Sequence, residues 1–175
     1  MNMSQRSNSI VYRLVVISLI SAIYTVVSLL GATLSFSNIQ VRFAEILCLL
    51  PILFPWAIWG VTLGCFLTNL LGVILSVNAL GFIDMIFGTL ATFIAAYLTY
   101  RWRNVRIKNI PFLSALAPVL INGLIIGLEL TYVFGNGDLT LFPIFAIEVA
   151  IGEIIACMIF GIPIIMKLEH SKIFK

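Results

Sequence analysis

Five acidic residues, Glu45, Asp84, Glu129, Glu148 and Glu153, stand within or beside long apolar runs, and only Asp138 and Glu169 of the seven acids lie clearly outside them. A charged side chain at the centre of a membrane helix costs about 2.5–3.5 kcal/mol by insertion scales, so groups placed there face inward, toward partners or water. The chemistry they offer is acceptor chemistry. Set against the single guanidinium of Arg42, they favour a ligand that is cationic or rich in N–H donors over a phosphate or a carboxylate.

The stretch "INGLIIGLELTYVFG" places Asn122 and Glu129 seven residues apart. On an α-helix that spacing differs by only about 20° in direction, so both residues share one face. Two readings stand side by side: contact with a ligand, or interhelical hydrogen bonding that holds a bundle together. Arg42 precedes Glu45 by three positions, close enough on a helix to pair with it as a rim ion pair or to meet a ligand. Glu148 and Glu153 are five apart, roughly 140° around a helix, and cannot serve one contact face together. Glu153 is the deeper of the two and the preferred candidate. Tyr132, Phe134, Phe36 and Phe82 suit a flat heterocycle and equally suit an interfacial aromatic belt. The candidate ligand-binding set is therefore Arg42, Glu45, Asp84, Asn122, Glu129, Tyr132 and Glu153.

The elements that must carry these groups follow from composition. Of 175 residues, 62% are hydrophobic and only 10% charged, and the mean hydropathy is +1.17. A soluble domain of this size needs a charged shell that this chain lacks, so it reads as an integral membrane protein. Crossing a bilayer core of about 30 Å takes about 20 apolar residues as helix. That ruler divides the chain into six passes: Leu14 to Ser35, a short second pass from about Arg42 carrying Pro51, a third from Pro55 to about Ser76, Phe82 to Tyr100, Phe112 to Phe134, and Leu141 to Met166. The expected fold is an all-α six-helix bundle forming a single membrane domain over residues 1–175. Residues 1–13 and 167–175 form its cytoplasmic segments.

Charge orients it. Arg6, Arg13, Arg101, Arg103, Arg106, Lys108, Lys167, Lys172 and Lys175 fall on one side of the six-pass scheme, which places both termini in the cytoplasm and the protein in the cell membrane. The net charge of +3 is thereby a matter of topology and calls for no nucleic acid. The first apolar run is longer than a signal-peptide core of about 7–15 residues and reads as a retained helix. Counting about 1.5 Å per residue from the outer helix ends, Asp84, Glu129 and Glu148 lie shallow, and Glu153 and Asn122 approach the midplane. With Arg42 and Glu45 they outline a polar pocket opening outward.

Several functions are disfavoured. The chain has no G-x-x-x-x-G-K-[ST] run for a P-loop, so any pumping needs outside energy. His170 sits in the charged tail, and no Ser-His or Cys-His set, metal-ligand cluster or cofactor motif is present. Cys48, Cys65 and Cys157 read as buried thiols. "GNGD" at 135–138 matches the G-x-G-D string of intramembrane aspartyl proteases, but Asp138 falls in a short outer loop, where that chemistry lacks its helical context. Small residues four apart, at Ser18 and Ala22, Gly60 and Gly64, Gly123 and Gly127, and Gly152 and Ala156, let helices approach closely.

Four strings, "QVRFAEILCLLP" (40–51), "FIDMIFGTLATFIAAYLTYR" (82–101), "NGLIIGLELTYVFG" (122–135) and "GEIIACMIFGIP" (152–163), resemble the substrate-binding S-components of energy-coupling factor transporters, in the branch assigned to queuosine precursors. The resemblance runs from about residue 10 to 169. It implies a non-enzymatic subunit that binds 7-aminomethyl-7-deazaguanine or a close relative from outside, and docks in the bilayer on a transmembrane T-component with two ATPases. The family's small-residue docking pattern on helix one maps to Ser18 and Ala22, with serine in place of the usual alanine. The guanine-like edge would meet Glu129 or Glu153, and the amine Asp84 or Glu45. Two other readings stay open: an autonomous carrier for another small amine or heterocycle, and a membrane enzyme using paired carboxylates.

Overall fold

A computed structural model describes residues 9–31 and 42–171. Ser35 and Phe36, with Arg6, Lys172 and Lys175, lie outside the described residues. Six helical segments follow in order: α1 Ile10–Leu30, α2 Phe43–Ile52, α3 Ala57–Ile74, α4 Phe82–Trp102, α5 Phe112–Val133 and α6 Leu139–Glu169. Five of them, all but α2, are long and apolar enough to cross a membrane. The second expected pass is thus not a helix of spanning length. It is a 10-residue 3-10 helix containing Pro51, which at about 2.0 Å per residue covers about 20 Å.

The five long helices form an arc in which α1 packs on α3, α3 on α4, α4 on α5 and α5 on α6, while α2 touches all five from the middle. Ala44, Glu45, Cys48 and Leu49 of α2 are accordingly fully buried. Glycines set the closest approaches. A Cβ on Gly60 would lie 2.8 Å from Ile20 Cβ and one on Gly64 2.6 Å from Tyr24 Cβ, so α1 and α3 run parallel in near contact. A Cβ on Gly127 would lie 2.8 Å from Ala146 Cα, and one on Gly123 3.5 Å from Ala150 Cβ, which makes α5 and α6 antiparallel. A further small pair of the sequence reading, Gly152 and Ala156, is buried.

Prolines shape two long helices. Pro118 inside α5 cannot donate to the carbonyl of Ser114 four residues back. That oxygen instead accepts from Thr99 Oγ1 of α4 at 3.0 Å, the kind of replacement partner an apolar medium requires. In α6 the winding widens to a π-helix over Ile154–Gly161 before α-helix resumes at Ile162–Glu169, with proline in its first turn. Pro163 denies an α-type bond to Ile159, and the wider winding sits immediately before it.

The two ends of the bundle differ in charge. At one end Arg13 stacks 3.7 Å from the Trp56 ring centroid, and Arg106 Nη1 lies 2.9 Å from Glu169 Oε2. The helix directions place Arg101, Arg103, Lys108 and Lys167 there too. At the other end lie Arg42 and Asp84, opening α2 and α4, and the turn Gly135–Asp138. Asn136 and Gly137 both adopt positive φ there. Asp138 accepts from Thr140 N at 3.0 Å and Thr140 Oγ1 at 2.8 Å, bonds that hold its carboxyl below the usual range. An acid engaged in capping its own exposed turn is no partner for Asp84 in a protease dyad.

Candidate functional site

Asp84 enters from the first turn of α4 and is 0% exposed. Its Oδ2 lies 3.0 Å from Arg42 Nη2 and accepts from Asn78 Nδ2 at 3.0 Å. Asn78 belongs to the α3–α4 connection, and its own Oδ1 accepts from Leu80 N at 3.0 Å. Asn69 of α3 donates to the Asp84 carbonyl at 2.8 Å. Arg42 therefore forms its ion pair across 42 residues with Asp84, where the sequence spacing had suggested Glu45. Gly88, one turn further along α4, makes this geometry reachable: a Cβ there would fall 2.1 Å from Asp84 Oδ1.

Glu45 turns away from that cluster into the centre of the bundle. One of its carboxylate oxygens accepts from the Tyr24 hydroxyl of α1, and the other accepts from the Cys48 thiol at 2.8 Å. Beside it, the single S–H of Cys157 on α6 lies between two acceptors, the Glu45 carbonyl at 3.4 Å and Glu153 Oε2 at 3.5 Å. Glu153, 3% exposed, accepts from Asn122 Nδ2 at 2.7 Å through its other oxygen. Both carboxylates are thus engaged by protein donors, and the Asn122 amide is used between helices α5 and α6. All three cysteines are free and buried.

Glu129 is placed differently. It is 5% exposed, yet neither carboxylate oxygen has a hydrogen-bond partner. It lies within electrostatic reach of Asp84 and Arg42. It also lines an open-sided cavity of about 570 Å³ between α4 and α5, whose other lining residues, Ile83, Phe87, Leu90, Ile125, Leu128 and Tyr132, are apolar or aromatic and mostly exposed. Tyr132 is 77% exposed at the rim. Asn122 and Glu129, expected to look into one space, differ in their partners: the amide bonds Glu153, whereas the Glu129 carboxylate, buried beside the cavity, has no hydrogen-bond partner. Glu148 is half-buried on α6, with Oε2 lacking a partner. Ser18 and Ala22 lie exposed on the outward face of α1.

Sequence reading missed Asn69, Asn78 and Tyr24, which complete these clusters. Asn69 carried the same signal as Asn122, an amide within an apolar run, whereas Asn78 lies between helices and offered none.

Described residues that fold as helices, five of them of spanning length, around a buried, acceptor-rich interior define a multi-pass membrane protein. A family model described as QueT transporter matches residues 14–170. The chain belongs to this family of transporters, in agreement with the S-component resemblance drawn from its sequence. No curated protein and no solved structure matches the chain.

Proposed function

We propose that the chain is the solute-binding subunit of an energy-coupling factor uptake transporter in the cell membrane. It captures 7-aminomethyl-7-deazaguanine or a close relative from the outside. It passes that cargo inward when docked on a transmembrane T-component with two ATPases. In this reading residues 1–175 are one membrane domain with both termini cytoplasmic, and α2 serves as the short second pass of six.

The observation that carries the proposal is Glu129. A buried carboxylate with two oxygens lacking donors is costly in an apolar medium, and a ligand that brings adjacent N–H groups removes that cost. The edge of a guanine-like ring does so, since a carboxylate accepts two parallel N–H bonds. The cavity beside Glu129 falls within the size range of about 300–1,000 Å³ usual for small-molecule sites, and Phe87 and Tyr132 supply flat apolar walls. Asp84, held by Arg42, provides negative charge for the amine. Glu45 and Glu153, whose carboxylates accept from protein donors, and Asn122, which donates to Glu153, serve in this reading as a hydrogen-bonded interior of the bundle. Ser18 and Ala22 keep the outward face of α1 low enough for a partner helix to lie close.

Mass spectrometry of the small molecule that co-purifies with the protein tests this. The result expected is a 7-deazaguanine bearing an aminomethyl or similar group. Recovery of an anionic or wholly apolar ligand in its place overturns the assignment. In proteoliposomes lacking the ATPases, the protein should bind this solute without sustained uptake.

A further inference from the structure

Among the described residues four acids are buried: Glu45, Asp84, Glu129 and Glu153. Asp84 has the guanidinium of Arg42 at 3.0 Å. Glu153, 3% exposed, has neutral partners only, Asn122 Nδ2 of α5 at 2.7 Å from Oε1 and Cys157 Sγ at 3.5 Å from Oε2. Helix α2 packs against this stretch of α6 and brings a further acid to it: Glu45, whose carboxylate is bonded by Cys48 of α2 and Tyr24 of α1 and whose carbonyl lies 3.4 Å from Cys157 Sγ. Arg42, at the start of α2, is bonded to Asp84, and Glu129, the other acid of α5, stands about two turns from Asn122. Cys157 is thus the joint between Glu153 and α2, and it has one proton to give. Given to the Glu45 carbonyl, that proton leaves Glu153 Oε2 without a donor. Given to Glu153, it leaves an anion in an apolar interior resting on an amide and a thiol, with a second acid bonded through the same sulfur. Neither arrangement offsets the cost of a buried charge with no cation bonded to it.

We propose that Glu153 is a proton-binding site: at neutral pH its Oε2 carries a proton and donates it to Cys157 Sγ, whose own S–H is donated to the Glu45 carbonyl. One proton settles every group in the chain. The carboxyl O–H has the sulfur as acceptor, the thiol has the carbonyl, and Oε1 still accepts from Asn122. A protonated carboxyl is a donor and an acceptor at once, which is what a position between an amide N–H and a sulfur requires. Glu45, with Tyr24 and Cys48 on separate oxygens, keeps the role of acceptor. Two carboxyl groups then stand at the centre of the bundle with at most one negative charge between them. The chain of bonds from Glu153 through Cys157 to Glu45 also ties α6 to α2 within the π-helical stretch Ile154–Gly161. This site stands apart from the cavity beside Glu129 and does not depend on which solute that cavity takes.

Infrared difference spectroscopy on the purified full chain in detergent at neutral pH reads the proton directly, because a protonated carboxyl has a C=O stretch apart from those of carboxylates and amides. Subtracting the spectrum of Glu153→Gln from that of the natural chain cancels the other acids, and a protonated-carboxyl band that shifts in heavy water should remain. In Glu45→Gln that band should persist. Cys157→Ala, which keeps the carboxyl and removes its acceptor, should move the band to higher frequency and delete the S–H stretch of one of the three free cysteines. Helix content by circular dichroism certifies each variant as folded. Absence of the band from the first difference spectrum overturns the proposal, as does its loss in Glu45→Gln. A band unmoved in Cys157→Ala overturns the thiol as the proton's acceptor, and this arm stands even where Glu153→Gln does not fold.

Discussion

Arg42 and Asp84, 42 residues apart in sequence, meet at 3.0 Å with the acid wholly buried. The pair ties the start of α2 to the start of α4. Removing one partner strands the other charge in an apolar interior, which costs about 3–5 kcal/mol, whereas replacing both together is far cheaper. Arg42→Met should therefore lower the unfolding temperature in detergent sharply, and Arg42→Met with Asp84→Asn should recover most of the loss. A single variant as stable as the natural chain would mean that the pair carries no energetic weight.

The exposed pair at the opposite end supplies a contrast. Arg106 and Glu169 are each about a quarter exposed in their side chains, and partly solvated ion pairs contribute about 0–1 kcal/mol. Arg106→Ala should shift stability by less than about 1 kcal/mol, and added salt should shrink even that.

Asn122 bonds Glu153 at 2.7 Å between α5 and α6. Interhelical hydrogen bonds of this kind contribute about 0.6–2 kcal/mol. Asn122→Leu and Glu153→Gln should each destabilise the protein, and the double variant should lose less than the two losses added together. Strict additivity in this cycle would show that the two side chains do not act as a pair.

The seam between α5 and α6 makes a graded prediction. A Cβ on Gly127 meets Ala146 backbone at 2.8 Å, while one on Gly123 finds its nearest atom at 3.4 Å. Gly127→Ala should cost about 1–3 kcal/mol through forced separation of the helices. Gly123→Ala should be tolerated, measured by the same thermal unfolding. Equal effects would contradict this close approach.

Much of this architecture was legible from apolar run lengths, because five of the helices obey the roughly 20-residue ruler that a bilayer imposes. Pro118 left no mark on that count, since Thr99 satisfies the carbonyl it frees. The second segment escaped the ruler because α2 packs against all five long helices, and its length is set by that packing in place of membrane thickness. The site was legible as a set of acids and no further. Helical spacing could pair Arg42 with Glu45 and Asn122 with Glu129. It could not foresee that Arg42 would cross to Asp84, that Cys48 and Tyr24 would consume the Glu45 carboxylate, or that Asn122 would turn to Glu153. Those choices depend on which helices become neighbours, and hydrophobic periodicity in a uniformly apolar chain carries little information about neighbours.

The central claim is that Glu129 is the ligand's acceptor. Its most direct test is the equilibrium affinity for 7-aminomethyl-7-deazaguanine of the natural chain and of Glu129→Gln, whose amide keeps the side chain's size and halves its accepting capacity. Loss of at least about tenfold in affinity, with unfolding temperature preserved, is the result predicted. Undiminished affinity in a folded Glu129→Gln protein would contradict the account.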